Sequence, residues 1–168
     1  MTPEEIALRA FRSAIGAKWV LTAEEDRAAY SDQFASDEAR HRPGGAVAPA
    51  NAEEVREIVR IANRYKVPLW PISRGKNLGY GGAAPVQKGS IVLDLSRMKR
   101  IEVDRENGTV LVEPGVGFFD LYDHLQANRI PLWLSVPGNS WGSVAGNALD
   151  RGVGYTSYGD YAARICGL

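Results

Sequence analysis

Cysteine is almost missing from this sequence: Cys166 stands alone, which excludes an internal disulfide and a thiolate metal site. Histidine is nearly as scarce. His41 and His124 are the only two, and neither has partners at metal-ligand spacing, so no metal is expected. No charge sign is in excess, with 20 basic against 20 acidic residues. No lysine-arginine cluster is dense enough to grip a phosphate backbone, and nucleic acid is not an expected partner. No run approaches the ~18 apolar residues of a membrane span. The N-terminus carries Glu4 and Glu5 instead of a signal-type apolar core. A cytoplasmic protein with no membrane partner is therefore expected. Repeats and low-complexity tracts are also lacking. What remains is 168 residues, 45% of them hydrophobic, enough for a folded domain with its own core.

Thr2-Pro3-Glu4-Glu5 has the layout of a capped helix start, and Ile6, Ala7, Ala10, Phe11 and Ala14 continue at helical spacing to about Ile15. Thr22 with Glu25 suggests a second, shorter helix carrying Ala28 and Ala29, ahead of a polar stretch over 31–45. A short strand over 46–48 follows. Asn51 and Glu54 then cap a helix with Val55, Ile58, Val59 and Ala62 on one face. Strands are expected over 68–72 and 90–95, and a hairpin pairs 101–104 with 109–112 across Asn107-Gly108. That pair is read as a turn, although Asn107-Gly108-Thr109 also fits a glycosylation pattern. A helix over 118–127 should turn Leu121, Tyr122 and Leu125 inward. Residues 162–168 look like the start of a strand that the chain does not finish. This mixture, with no unbroken strand-helix alternation, predicts an α+β fold. Its expected domains are an N-terminal helical segment, 1–45, and a ligand-binding domain, 46–168, incomplete at its C-terminal end.

Two glycine-rich segments carry the chemistry. The first is Pro71-Ile72-Ser73-Arg74-Gly75-Lys76-Asn77-Leu78-Gly79-Tyr80-Gly81-Gly82, directly after a strand. Its glycines let backbone amides approach a ligand, and Ser73, Arg74, Lys76 and Asn77 add donors, a combination suited to a pyrophosphate. A surface connection is the competing reading, weakened by the cost of exposing Trp70, Leu78 and Tyr80. Two familiar phosphate motifs fail here. The run 79–84 has dinucleotide-fingerprint spacing, but Pro85 follows and no helix begins. Gly75-Lys76 is followed by Asn77, where a triphosphatase loop needs serine or threonine.

The second segment is Val136-Pro137-Gly138-Asn139-Ser140-Trp141-Gly142-Ser143-Val144-Ala145-Gly146-Asn147-Ala148-Leu149-Asp150-Arg151-Gly152-Val153-Gly154-Tyr155. Small residues at Gly142, Ser143, Ala145 and Gly146 allow a flat ring to lie against backbone, and Asn147 and Ser143 can bond its polar edge. Tight packing alone would also account for such glycines. His41, between two arginines, is a lesser candidate for approaching the same ligand, and His124 reads as part of a solvated helix face.

Residues 73–85, the run 115–121 after Val112-Glu113-Pro114, and 146–160 resemble, in sequence and in order, the vanillyl-alcohol oxidase and p-cresol methylhydroxylase family. The resemblance covers the chain from about Ala46 onward. It implies a two-part FAD-binding domain in which 73–82 hold the pyrophosphate and 137–147 line the isoalloxazine. The cofactor-binding set so implied is Pro71, Ile72, Ser73, Arg74, Gly75, Lys76, Asn77, Gly79, Gly81, Gly82, Pro137, Gly138, Gly142, Ser143, Gly146, Asn147, Asp150, Gly152 and Gly154. It also implies that Tyr80 and Tyr155 aim their hydroxyls at the oxygen of a para-substituted phenol, whose ionisation those donors would favour before hydride transfer to FAD. From the residues alone, both tyrosines fit ordinary packing equally well.

Two departures from the family pattern bear on substrate. Gly138-Asn139 stands where the alcohol-oxidase branch has an aspartate, so no acid or base is assigned, and Tyr161 replaces a histidine found in many members. The resemblance further implies a substrate-covering C-terminal domain beyond Leu168, a cytochrome or oxygen as electron acceptor, and a homo-oligomeric full-length protein. Two other readings stay open: oxidation of a 2-hydroxy acid or other alcohol on the same FAD fold, and a flavin-binding remnant without activity.

Overall fold

A computed structural model describes residues 2–32, 34–77, 82–137 and 140–167. The chain divides into two compact units, Met1–Arg97 and Met98–Leu168.

The first unit is built on a four-stranded sheet of β1 (Val20–Leu21), β2 (Gly45–Val47), β3 (Leu69–Ile72) and β4 (Ile91–Asp94), in the spatial order β1-β2-β4-β3. β1 is antiparallel to β2, whereas β2, β4 and β3 run parallel. Strand alternation sends Val47, Ile91 and Leu93 to one face and Ala46 and Val92 to the other. On the first face lie α1 (Pro3–Ile15) and α3 (Ala52–Tyr65), which seal it with Ala7, Phe11 and Ile15 from one helix and Ile58, Ile61 and Ala62 from the other. The predicted starts of both helices hold. Thr2 and Glu5 exchange capping hydrogen bonds, and Asn51 accepts from the Glu54 amide at 2.9 Å. The three parallel strands all end on the same edge, the edge at which open α/β sheets bind ligands.

The second unit pairs β5 (Ile101–Asp104) with β6 (Thr109–Val112) as the expected hairpin. Gly108 takes φ +65° in its turn. The Asp104 carboxylate accepts from the Asn107 side chain and from the Asn107 and Glu106 amides, and these bonds, the Asn107 side chain foremost, hold it below the usual carboxylate range. Against the hairpin packs α4 (Phe118–Ala127), through Leu121 and Leu125, with Val116 before it and Ile130 after it in the same cluster. A six-residue helix, α5 (Val144–Leu149), follows.

Several local expectations change. Thr22 does not cap α2 (Glu24–Ala28): Ala23 holds that position without a side-chain bond, and the Thr22 hydroxyl accepts from Arg12 at 3.0 Å instead. Val59 is 40% and Tyr122 54% exposed, because the 100° helical step carries each past the edge of its buried stripe. The strand expected over 162–168 is a 3₁₀ turn, Ala162–Arg164, nucleated by Asp160, whose carboxylate accepts from the amides of Ala162 and Ala163. Among the described residues no helix is long and apolar enough to cross a membrane, and no cluster of metal-ligating side chains occurs.

Candidate functional site

In the first unit the candidate loop leaves the sheet at the C-terminal end of β3. Ser73 and Arg74 bend away from Ile72, and Gly75 takes φ +63°. A Cβ on Gly75 would stand 2.8 Å from the Ala83 Cβ and 3.2 Å from the Ile72 Cδ1. Glycine is thus required there by backbone angle and by space. The loop closes through the Gly82 amide, which donates to the Asn77 carbonyl at 3.2 Å. Gly82 is also left-handed, at φ +57°, with open space where a Cβ would go. Pro71, Arg74, Lys76 and Asn77 lie on this described portion, while Gly79, Tyr80 and Gly81 fall outside the described residues.

Beyond the loop, Ala83, Ala84 and Pro85 are buried. His41 reaches this exit, its Nδ1 lying 3.1 Å from the Pro85 carbonyl. The loop entrance has a partner too. Ile72 is paired in register with Asp94 of β4 and accepts at its carbonyl from the Leu95 amide at 3.0 Å.

The second unit organises the other segment around Ser143. Its hydroxyl donates to the Pro114 carbonyl at 2.6 Å and accepts from the Gly146 amide at 3.1 Å, capping α5. Gly142 accepts from the Phe118 amide, which fixes α5 to the start of α4. Pro137 is buried, and Gly138 lies outside the described residues.

Past α5 the chain doubles back. Val153 bridges Asp160, the Gly154 amide donates to the Gly159 carbonyl at 2.8 Å, and the Gly159 amide donates to Thr156 at 3.0 Å. This tight loop carries Tyr155 outward, 88% exposed. Gly152 and Gly154 have close neighbours of their own: a Cβ on Gly152 would meet the Asn147 amide at 2.3 Å, and one on Gly154 would meet the Tyr161 hydroxyl at 2.3 Å. Tyr161 itself is buried against Phe118 and Ala148, its hydroxyl 3.4 Å from Ser135, which is 3.2 Å from the Thr156 hydroxyl. Asp150 is exposed at the end of α5. His124 is half-buried on α4.

Residues 43–168 match the FAD binding domain family. The chain belongs to that family. As an FAD-binding domain it has the p-cresol methylhydroxylase type of fold: the crystal structure of p-cresol methylhydroxylase with substrate bound superposes with a TM-score of 0.92 and 40% identity, covering 96% of this chain and 32% of that one. The 4-cresol dehydrogenase (hydroxylating) flavoprotein subunit of Pseudomonas putida is 42% identical over 166 residues, covering 96% of this chain and 32% of its own length. The 1'-carboxy-chondrochloren decarboxylase of Chondromyces crocatus is 42% identical over 168 residues, covering 99% and 31%. The chain thus spans about a third of the length of these curated relatives.

The residues present fit FAD. Asn147 Oδ1 is buried with no hydrogen-bond partner among the described residues. A buried carbonyl oxygen left so costs about 1–3 kcal/mol until an N–H donor reaches it, and the pyrimidine edge of a flavin carries such a donor. The sequence pointed to Asn147 by its residue type, its small-residue segment and the family resemblance. It singled out Tyr161 only as a departure from the family pattern, and it gave no sign of Tyr30 with Asp94 or of the Ser135-Thr156-Tyr161 hydroxyl group, which are joined only by the fold.

Proposed function

We propose that this FAD-binding domain serves an oxidoreductase that acts on para-substituted phenols, the remaining part of the substrate site being supplied by polypeptide outside these 168 residues. FAD, when bound, accepts the hydride. Residues 73–82 hold its diphosphate, and the face around Ser143, Gly146 and Asn147 receives its ring system. The observation that carries the phenol reading is Tyr155, a phenolic side chain held outward at 88% exposure by a loop closed with backbone hydrogen bonds. A large, half-apolar ring is costly to leave in water without a use, and its hydroxyl is a donor suited to a phenolate oxygen. An alkylphenol with pKa near 10 must lose that proton before its ring can release electrons toward the para carbon, and a fixed donor favours the ionised form. Tyr80 is assigned the same role.

The relatives named for 4-cresol and p-cresol support this substrate class. The Pseudomonas relative is named as a flavoprotein subunit, which supports a separate electron-accepting partner, proposed here as a cytochrome. A decarboxylase stands at equal identity, so the substrate panel includes a carboxylated phenol read by CO₂ release.

The test is rapid mixing of the whole protein with a para-alkylphenol across pH, beside Tyr155→Phe. That change keeps the ring and removes one donor, and it should slow flavin reduction about a hundredfold while flavin content stays the same. Unchanged reduction and an unchanged pH profile would remove the reason for choosing a phenol.

A further inference from the structure

Residues 1–42 precede the part of the chain that matches the family, yet one of them lies against the diphosphate loop. Tyr30 is 9% exposed and shares one apolar cluster with Ala46, Val92, Ile72 and Ala83. Ile72 is the last residue before the loop and Ala83 the first after it. Both flank the space a Gly75 Cβ would fill, at 2.8 Å from it for the Ala83 Cβ and 3.2 Å for the Ile72 Cδ1. The Tyr30 hydroxyl donates to Asp94 Oδ2 at 2.9 Å. Asp94 is the strand partner of Ile72, and its other oxygen accepts from the Ser96 amide at 2.9 Å. Burial, and then the adjacent Asp94 charge, push the Tyr30 hydroxyl above the usual tyrosine range, so it remains a donor.

We infer that Tyr30, anchored by Asp94, is a positioning residue that sets the separation of the two ends of the diphosphate loop, so that a residue ahead of the 43–168 stretch governs FAD affinity. The inference rests on the reading that residues 73–82 hold the diphosphate. Loop amides must converge on the phosphates within a few tenths of an ångström to bond them. A ring buried in the same cluster as both loop ends, with its hydroxyl tied to Asp94 of the neighbouring strand, holds those ends in place.

The test titrates the purified protein with FAD, ADP and riboflavin, following flavin fluorescence or competition. Riboflavin lacks the diphosphate and reads the ring site alone. Tyr30→Phe keeps the ring and removes the tie, and it should weaken FAD and ADP about tenfold or more while leaving riboflavin unchanged. Asp94→Ala removes the same bond from the other side. The two changes combined should cost no more than the larger one alone, whereas two independent packing losses would multiply. FAD and ADP bound by Tyr30→Phe as tightly as by the parent, or riboflavin weakened by the same factor, overturns the inference. A parent protein that binds riboflavin but neither FAD nor ADP more tightly overturns the diphosphate reading itself, and the two failures are distinct.

Discussion

Replacing Gly154 by alanine adds one methyl group, and the structure says where it goes. The new Cβ would lie 2.3 Å from the Tyr161 hydroxyl and 3.0 Å from both the Tyr161 Cζ and the Ser135 Oγ. Ordinary contact begins near 3.5 Å, so the overlap exceeds an ångström with the hydroxyl and is smaller with its neighbours. Tyr161 cannot swing aside freely, because its ring is 6% exposed and packs on Phe118 with centroids 5.7 Å apart. Forced repacking of this kind costs about 1–3 kcal/mol, and each kcal/mol lowers Tm by roughly 2–4 °C in a chain of this length. Tyr161→Phe alone removes a hydroxyl that makes a long contact, 3.4 Å to Ser135, for a loss of about 1 kcal/mol at most. In the double variant the worst overlap is gone, so the combined loss should fall short of the sum by about 1 kcal/mol or more. Urea unfolding of the four proteins measures this, with FAD titration alongside. Additivity within about 0.5 kcal/mol would mean that Tyr161 does not dictate glycine at 154. A double variant that regains stability but not FAD would instead assign Gly154 to the cofactor.

Three further outcomes are expected. Gly75→Ala should lose FAD retention and about 1 kcal/mol or more of stability, from its left-handed backbone and the 2.8 Å approach to Ala83. Adding Ala83→Gly should restore only the steric share, as read by thermal melting. Ser143→Ala removes the cap of α5 and the bond to Pro114, and should cost about 1–2 kcal/mol in urea unfolding; a loss below half that would deny the hydroxyl its double role. The third concerns alkaline pH. The folded Tyr30 hydroxyl titrates above its unfolded value, so between those two values the native state keeps a proton that the unfolded chain loses. Its contribution is complete below about pH 10 and declines as pH rises beyond it. The stability gap between parent and Tyr30→Phe should therefore narrow on going from pH 9 to pH 11, and a constant gap would contradict the assignment.

Much of the scaffold could be read from local chemistry. Caps at Thr2 and Asn51, the Asn107-Gly108 turn and the 118–127 periodicity involve partners a few residues apart, and each element formed where its own residues direct it. The failures have the same character in reverse. Thr22 had a local capping pattern but a distant arginine took its hydroxyl, and 162–168 had strand-like composition but Asp160 turned it. Of the candidate site, the loop at 73–82 and the small-residue run at 142–147 were visible because glycine in such density has few uses. The partners of Gly75, Gly152 and Gly154 were not, since Ala83, Asn147 and Tyr161 meet them only after folding. Tyr30 is the extreme case: it follows the short second helix, and its partner Asp94 is 64 residues away on β4.

The buried Asn147 oxygen should gain a donor when flavin binds this face. Riboflavin and FAD are titrated into the parent and into Asn147→Ala, with unfolding of the ligand-free proteins in parallel. The parent should bind both and shift the flavin spectrum. The variant should weaken both by about tenfold or more and be destabilised far less than a buried, fully bonded asparagine would be, because the oxygen it loses has no hydrogen-bond partner among the described residues. Equal flavin affinity in parent and variant would contradict the claim that this face receives the isoalloxazine.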